Sequence, residues 1–226
     1  MSAQSARGLF RATGKAGKPK AIQLLDGSYA KVDAIPRAEH DFQATPVEPT
    51  RAFLHYERSA LAHHCAIWEP AVGDGAMSRE IKAAGHHCIG SDLIDRGCGA
   101  TIADFFSFTT PLAQAIVTNP PYNQVNARDG DGRWVWHAME TLGVEYMALL
   151  LNWAWPGARG LAGLWAAHPP KRVYLMRWKI DFTGEGSPPM LHAWFIWERG
   201  FKGDPALLMM DRVDNRQGAM FAEAAP

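Results

Sequence analysis

Four consecutive residues, Asn119-Pro120-Pro121-Tyr122, have the composition of a site for a planar amine, and they follow an apolar run at Ala115–Thr118. Two consecutive prolines hold the backbone extended, so we expect the Pro120 carbonyl to point away from a strand ladder. That carbonyl and the Asn119 side-chain oxygen then form a rigid pair of acceptors, beside a Tyr122 ring on which a planar group can stack. An amine held by two acceptors loses conjugation and becomes more nucleophilic at nitrogen. The four residues therefore predict chemistry at an exocyclic amine.

A glycine-rich turn upstream predicts a binding loop for a small ligand. Its residues are Glu69-Pro70-Ala71-Val72-Gly73-Asp74-Gly75, and it ends forty-four residues before Asn119. The glycines let the backbone pass close to a ligand, but neither the GxGxxG dinucleotide pattern nor a P-loop is present. The carboxylates of Glu69 and Asp74 would repel phosphate. They favour a ligand with positive charge and hydroxyl groups, and S-adenosylmethionine, with a sulfonium, an ammonium and a ribose, fits.

Two further acids follow at intervals that suit the same ligand. Asp92 comes nineteen residues after Gly73, at the end of a predicted strand, where a carboxylate can accept both ribose hydroxyls. Asp104 precedes Phe105 and Phe106, so it could accept from an adenine amino group while Phe105 packs against the adenine ring. Both positions have plainer interpretations: Asp92 as a helix cap or turn aspartate, and the two phenylalanines as core.

The elements that would carry these residues alternate between strand and helix patterns, which predicts an α/β fold with a parallel sheet covered by helices on both faces. Each chemically distinctive cluster follows a predicted strand, and ligands of such sheets bind at the carboxyl ends of the strands. Predicted strands lie at about 64–68, 87–90, 115–118, 145–152, 172–178 and 192–198, and predicted helices at about 45–63, 77–84, 133–142 and 161–167.

Together these motifs resemble the class I S-adenosylmethionine-dependent amino-methyltransferases, and within them the small, phage-type DNA adenine-N6 methyltransferases. EPAVGDG is similar to their first cofactor motif, SDL to their ribose-binding acid, DFF to their adenine-contacting motif and NPPY to their catalytic motif. Residues 41–46 resemble the segment that closes over the cofactor, and residues 180–184 with 193–197 resemble the last hairpin. The likeness covers about residues 41–200, with the cofactor motifs before the catalytic one.

The resemblance implies a doubly wound, mostly parallel seven-stranded sheet with a C-terminal antiparallel hairpin. It implies S-adenosyl-L-methionine as methyl donor, no metal, and DNA as partner, with the target adenine flipped out of the duplex and methylated by direct displacement. The implied catalytic residues are Asn119, Pro120, Pro121 and Tyr122. The implied cofactor-binding residues are Thr45, Pro46, Glu69, Pro70, Gly73, Gly75, Asp92, Asp104 and Phe105.

Three segments are predicted along the chain: a flexible basic arm at 1–40 with a hairpin-like piece around Asp26-Gly27, the methyltransferase domain at 41–200, and a C-terminal tail at 201–226. The first 25 residues carry five positive charges, whereas the net charge of the whole chain is zero. Contact with DNA is therefore expected from a local patch or from the arm. Because no separate target-recognition domain is evident, recognition is expected from residues 123–134 and 179–191 with the arm, or specificity is low.

Several classes of protein are excluded by composition. No run of 18 apolar residues is present, and the N-terminus lacks the apolar stretch of a secretory signal, so we expect no membrane contact and a location in the cytoplasm of a bacterium or phage-infected host. The three cysteines form no CxxC pair. His63-His64 with Cys65, and His86-His87 with Cys88, are adjacent residues that would point to opposite faces of a strand, which disfavours a metal site.

Other functions remain open beside adenine methylation. The amine could belong to cytosine N4, to guanine N2 in RNA or to a protein glutamine. Cytosine-N4 enzymes more often begin the catalytic motif with serine, and glutamine-modifying relatives usually carry a helical N-terminal domain. A non-catalytic nucleic-acid-binding subunit with this fold is the other alternative, although the intact NPPY argues against it.

Overall fold

In this computed structural model the described residues are 21–23, 29–31, 44–126, 131–182, 184, 186 and 190–213. The chain forms two compact units, Met1–Asp41 and Phe42–Pro226. In the first unit, β1 (Ala21–Gln23) pairs antiparallel with β2 (Tyr29–Lys31). The hairpin predicted around Asp26-Gly27 is thus confirmed in its two strands, while the rest of the predicted basic arm lies outside the described residues.

The larger unit contains an eight-stranded sheet. Its strands are β3 (Ile67–Glu69), β4 (Cys88–Asp92), β5 (Thr101–Ile102), β6 (Ala115–Thr118), β7 (Tyr146–Asn152), β8 (Arg172–Met176), β9 (His192–Glu198) and β10 (Ala206–Met210). They are ordered β10-β8-β9-β7-β6-β3-β4-β5. All neighbours run parallel except β9, which is antiparallel to both β7 and β8. The predicted α/β architecture with an antiparallel hairpin is confirmed.

The predicted number of seven strands is corrected to eight. The additional strand, β10, lies in the segment 201–226 that was assigned to a tail, and it pairs in parallel with β8 at the edge of the sheet. Its five apolar residues lack the alternation of a half-buried strand, so the sequence pattern alone gave no reason to place them in the sheet.

The described part of the larger unit contains five short α-helices. They are α1 (Val47–Tyr56), α2 (Arg58–Leu61), α3 (Ala76–Ala83), α4 (Arg133–Trp136) and α5 (Ala162–Ala167), and α4 continues as a π-helix over His137–Thr141. None of the helices in the described ranges has the length and apolar character needed to cross a membrane.

The helix predicted from Thr45-Pro46 to His63 is interrupted at Glu57, between α1 and α2. The Glu57 carboxylate is buried and accepts hydrogen bonds from the Arg172 guanidinium and from the hydroxyls of Tyr146 and Tyr174. Tyr146 and Arg172 are the first residues of β7 and β8, so this network ties the helical segment to the amino ends of two strands.

Two hydrophobic clusters lie on opposite faces of the sheet, because successive side chains of a strand alternate between its faces. On β6, Ile116 belongs to one cluster while Ala115 and Val117 belong to the other. All four residues of β6 are buried. A central strand enclosed on both faces holds the chain that follows it, Asn119 onwards, in a fixed place at the carboxyl edge.

Candidate functional site

Three of the predicted site residues lie at the carboxyl ends of adjacent strands. Glu69 ends β3, Asp92 ends β4, and Asn119 follows β6 directly. The central strand β3 pairs with β4 on one side and with β6 on the other. The strand order reverses between β3 and β6, which is the position where open α/β sheets form a ligand crevice.

The glycine-rich turn is tied to the end of β4 by Asp92. The Gly73 N–H donates to Asp92 Oδ2 at 2.8 Å, and the Ile94 N–H donates to Oδ1 at 3.0 Å. Gly73 and Gly75 have φ values of 57° and 81°, which glycine adopts without the steric cost that other residues incur. A Cβ added to Gly75 would lie 3.2 Å from the Cβ of Cys98. The turn therefore requires its glycines, and the Asp92 carboxylate is fixed in orientation.

Glu69 is buried, with a relative exposure of 2%. Its Oε2 accepts a hydrogen bond from the Ser78 hydroxyl in α3, and the Ser78 oxygen lies 3.2 Å from the Cys88 sulfur. Burial raises the pKa of Glu69 to about 8, although the hydrogen bonds from Ser78 act in the opposite direction. The hydrogen-bond partner of the Glu69 carboxylate is thus a residue of helix α3. Pro70, which follows it, is also buried.

In the third predicted motif, residues 104–106, the aspartate caps a turn. Asp104 precedes a 3₁₀ turn, Phe105–Ser107, and its Oδ1 accepts from the Phe106 N–H at 3.0 Å while the carboxylate stays exposed. Phe105 is buried and stacks on Trp134, with ring centroids 4.0 Å apart and planes 12° apart. Phe105 therefore packs in the core against Trp134, which covers one face of its ring, and its contact with the cofactor stays a prediction.

The residues that follow β6 present unpaired acceptors. The Asn119 Nδ2 donates to Thr45 Oγ1 at 3.1 Å, whereas Asn119 Oδ1 is buried and has no hydrogen-bond partner within the described ranges. No backbone N–H of the described residues donates to the Pro120 carbonyl. This agrees with the geometry expected from the two prolines, in which both oxygens remain available.

Tyr122 is the first residue of a 3₁₀ turn, Tyr122–Gln124, that follows the two prolines. Its ring is half-buried, and its buried hydroxyl has no hydrogen-bond partner in the described part of the chain. Burial raises the pKa of this hydroxyl above its ordinary value. The turn is closed by the Gln124 N–H, which donates to the carbonyl of the exposed Pro121 at 2.9 Å.

Thr45 contacts the predicted catalytic asparagine rather than a predicted cofactor residue. Thr45 and Pro46 directly precede α1, and both are half-buried. Sequence reasoning assigned Thr45 to the cofactor and Asn119 to the amine, and it missed their mutual hydrogen bond because 74 residues separate them.

Arg133 and His137 were also missed as neighbours of the site. The Arg133 guanidinium carbon lies 3.7 Å from the centroid of the Phe106 ring. His137 makes edge contacts with Phe105 and Phe106. Burial lowers the pKa of His137. Their spacing of four residues on a predicted helix was the signal available in the sequence.

The described residues contain no group of three or more His, Cys, Asp or Glu side chains that could hold a metal ion. Parts of the two predicted recognition loops, residues 127–130, 183, 185 and 187–189, lie outside the described residues.

Comparison with known proteins gives a structural likeness. No protein-family model matches the sequence. The search of curated proteins found no match. A candidate class I S-adenosylmethionine-dependent methyltransferase from Listeria monocytogenes matches with a TM-score of 0.51 at 12% identity, over 78% of this chain and 70% of its own. A candidate RNA methyltransferase from Pyrococcus horikoshii matches with a TM-score of 0.51 at 12% identity, over 67% of this chain and 82% of its own.

At 12% identity these likenesses show the fold and leave the substrate open. The sheet of this chain is mostly parallel, with the single antiparallel strand β9. The larger unit of this chain therefore has the Rossmann-like fold of the class I S-adenosylmethionine-dependent methyltransferases.

Proposed function

We propose that the protein transfers a methyl group from S-adenosylmethionine to the N6 amine of adenine in DNA. One observation carries the proposal: Asn119 Oδ1 is buried at the carboxyl end of β6 and has no hydrogen-bond partner among the residues that the structure describes. An unsatisfied buried acceptor costs about 1–3 kcal/mol, so a native structure that keeps one calls for an explanation. An amine hydrogen of the substrate would satisfy this acceptor.

The residues of the neighbouring turn fit S-adenosylmethionine. Asp92 offers a carboxylate at a strand end, and Gly73 and Gly75 keep the backbone free of side chains where the turn passes the crevice. Asp74, half-buried, adds negative charge that suits a sulfonium and an ammonium better than a phosphate. When bound, the cofactor supplies an electrophilic methyl group on a sulfonium sulfur. We assign its adenosine to Asp92 and to the exposed carboxylate of Asp104.

The chain's own residues would prepare the amine for attack. Asn119 Oδ1 and the Pro120 carbonyl accept its two hydrogens, which localises the lone pair on nitrogen and directs it out of the plane of the base. Thr45 holds the Asn119 amide so that its oxygen faces the substrate. Tyr122 offers one face of a ring whose hydroxyl end is buried. The nitrogen that gains the methyl group then releases one proton to solvent. Positioning and hydrogen bonding supply the catalysis.

The resemblance of NPPY to the catalytic motif of the DNA adenine-N6 methyltransferases supports DNA as the substrate class. An adenine within a duplex would enter such a crevice only after it is flipped out. The NPPY residues support an exocyclic amine as acceptor, and the aromatic ring of Tyr122 supports a planar one. The fold is also that of a candidate RNA methyltransferase, so RNA belongs in the same experiment as an alternative substrate.

The test is nucleoside mass spectrometry of unmethylated DNA and RNA after incubation with the protein and S-adenosylmethionine. Asn119→Ala is compared with wild type and with Gln114→Ala, which removes an exposed amide at the opposite end of β6. N6-methyladenine in DNA from wild type and Gln114→Ala, but not from Asn119→Ala, supports the proposal. N4-methylcytosine or a methylated RNA base would overturn the proposed substrate and would leave the proposed role of Asn119 intact. No methylated product despite measurable cofactor binding would overturn the proposed activity.

A further inference from the structure

The edge strand β10 exposes an unusual run of apolar side chains. Leu207, Leu208 and Met209 are 51%, 39% and 42% exposed, and no charged residue lies between Asp204 and Asp211. In the described part of the chain the outer side of β10 has no neighbouring strand. Edge strands are normally protected by charges, prolines or bulges. From these features we propose that β10 pairs antiparallel with β10 of a second copy, across a two-fold axis at Leu208, so that one sheet continues through a dimer.

Backbone hydrogen bonds within the chain select this axis. The Ala206 N–H donates to the Lys171 carbonyl, and the Met210 carbonyl accepts from the Arg177 N–H, so both residues direct their backbone groups toward β8. Because these groups alternate along a strand, those of Leu207 and Met209 point outward. An axis at Leu208 lets Leu207 exchange two hydrogen bonds with Met209 of the second copy, and the symmetric pair does the same.

The neighbouring axes are less favourable. An axis at Leu207 would place Met209 opposite Pro205, which has no N–H to donate. An axis at Met209 would require the Asp211 N–H, which already donates to the Tyr56 hydroxyl at 3.2 Å. The axis at Leu208 is thus the one at which every outward-facing backbone group of β10 finds a partner.

Charge complementarity supports the same register. Continued pairing about Leu208 places Asp204 opposite Arg212 of the second copy, and this pair occurs twice in a two-fold dimer. Both side chains are exposed. Asp211, the other acid beside the strand, already pairs with Arg177 in its own chain at 3.6 Å. The two ends of β10 are therefore oppositely charged, as an antiparallel partner of identical sequence requires.

The oligomeric state of the full chain tests the proposal, measured by sedimentation velocity over a range of concentrations. We expect a dimer for wild type and a monomer for Leu208→Lys, because two lysines would face each other at the axis. Ile102→Lys is the matched control: Ile102 is 50% exposed on β5, at the opposite edge of the same sheet, and this variant should remain dimeric. Circular dichroism verifies that each variant is folded. A wild-type monomer at all concentrations, or a dimer that survives Leu208→Lys, would overturn the proposal.

Cross-linking tests the register, with Cys65 and Cys98 replaced by serine because both are exposed. Leu208→Cys should form a disulfide between position 208 of one copy and position 208 of the second copy. Directly opposed residues of a non-hydrogen-bonded pair have Cα atoms about 4.5 Å apart. Leu207→Cys should not form a disulfide between the two copies, because position 207 of one copy faces position 209 of the other. Equal cross-linking of the two variants would contradict the axis at Leu208.

Charge reversal gives an independent measurement. Asp204→Arg should raise the dimer dissociation constant several-fold by placing like charges together, and adding Arg212→Asp in the same chain should lower it again. A double variant that binds no more tightly than Asp204→Arg would show that the two residues do not face each other.

Discussion

Thr45 Oγ1 accepts a hydrogen bond from Asn119 Nδ2 at 3.1 Å, between a residue that precedes α1 and a residue that follows β6. The bond fixes which end of the Asn119 amide faces the crevice, because it engages the nitrogen and leaves Oδ1 without a partner in the described part of the chain. In the proposed reaction the substrate amine needs an acceptor at this position. Thr45 therefore acts as a positioning residue for Asn119.

Replacement of Thr45 by valine should test this role. Valine keeps the shape of threonine and removes its hydroxyl, so the loss of one neutral hydrogen bond, about 0.5–1.5 kcal/mol, should lower kcat about two- to ten-fold. Thr45→Ser should restore most of the rate. Steady-state kinetics separate the two assignments of Thr45: a positioning residue affects kcat, whereas an increase in the KM for S-adenosylmethionine at unchanged kcat would return it to the cofactor.

Asp92→Asn should weaken both cofactor binding and the fold. The carboxylate accepts from the backbone N–H groups of Gly73 and Ile94, and an amide has only one oxygen with which to replace it. We expect the Kd for S-adenosylmethionine, measured by calorimetry, to rise at least about ten-fold, and the free energy of unfolding to fall by about 1–2 kcal/mol.

Asp95→Asn is the matched control for that variant, because Asp95 is exposed and accepts from the Gly97 N–H two residues further along the chain. Its effect on cofactor affinity should be small. If both variants bind S-adenosylmethionine as wild type does, the assignment of the cofactor to Asp92 is wrong.

The buried Glu69 carboxyl should make stability depend on pH. Its pKa is raised to about 8 in the folded chain, against about 4.3 for an unperturbed glutamate. Between these values the folded state binds more protons than the unfolded state, so the free energy of unfolding falls as pH rises, by at most about 1.4 kcal/mol per pH unit. Above pH 8 the contribution of Glu69 to the free energy of unfolding no longer changes with pH.

Glu69→Gln removes the titration and keeps the shape. Urea unfolding of the cofactor-free protein should show the variant gaining stability relative to wild type as pH rises from 5 to 8. Stability curves that stay parallel over this range would contradict the raised pKa of Glu69.

The network of Glu57 and Arg172 lies at the amino ends of the strands, away from the candidate site. It should contribute to stability and not to cofactor binding. Arg172→Met leaves Glu57 buried without its charged partner, and loss of one member of a buried pair costs about 3–5 kcal/mol. Adding Glu57→Gln should recover part of that loss. Chemical unfolding measures both effects. Cofactor affinity of the folded variants should match wild type, because the network lies at the amino ends of β7 and β8, and a large loss of affinity would argue otherwise.

Features with local causes were predictable from the sequence. The buried strand β6 and the prolines after it are adjacent in the chain, so the location of Asn119 and its open acceptors followed from local patterns. The glycines at positions 73 and 75 indicated a turn with no side chain in the way of a ligand, and the structure adds that both have positive φ values.

Features that depend on tertiary contacts were not predictable. The Thr45–Asn119 hydrogen bond joins residues 74 positions apart. Phe105 suited both a core and a ligand contact, and its stacking on the distant residue Trp134 could not be read from the sequence. The strand β10 depends on pairing with β8, which its uniform apolar run does not reveal.

The most direct test of the account is the yield of N6-methyladenine in DNA from wild type and from Asn119→Ala, with S-adenosylmethionine binding measured in the same samples. The account predicts that both proteins bind the cofactor and that only wild type produces N6-methyladenine. Wild-type levels of N6-methyladenine from Asn119→Ala would contradict the assignment of Asn119 Oδ1 as the acceptor that prepares the amine.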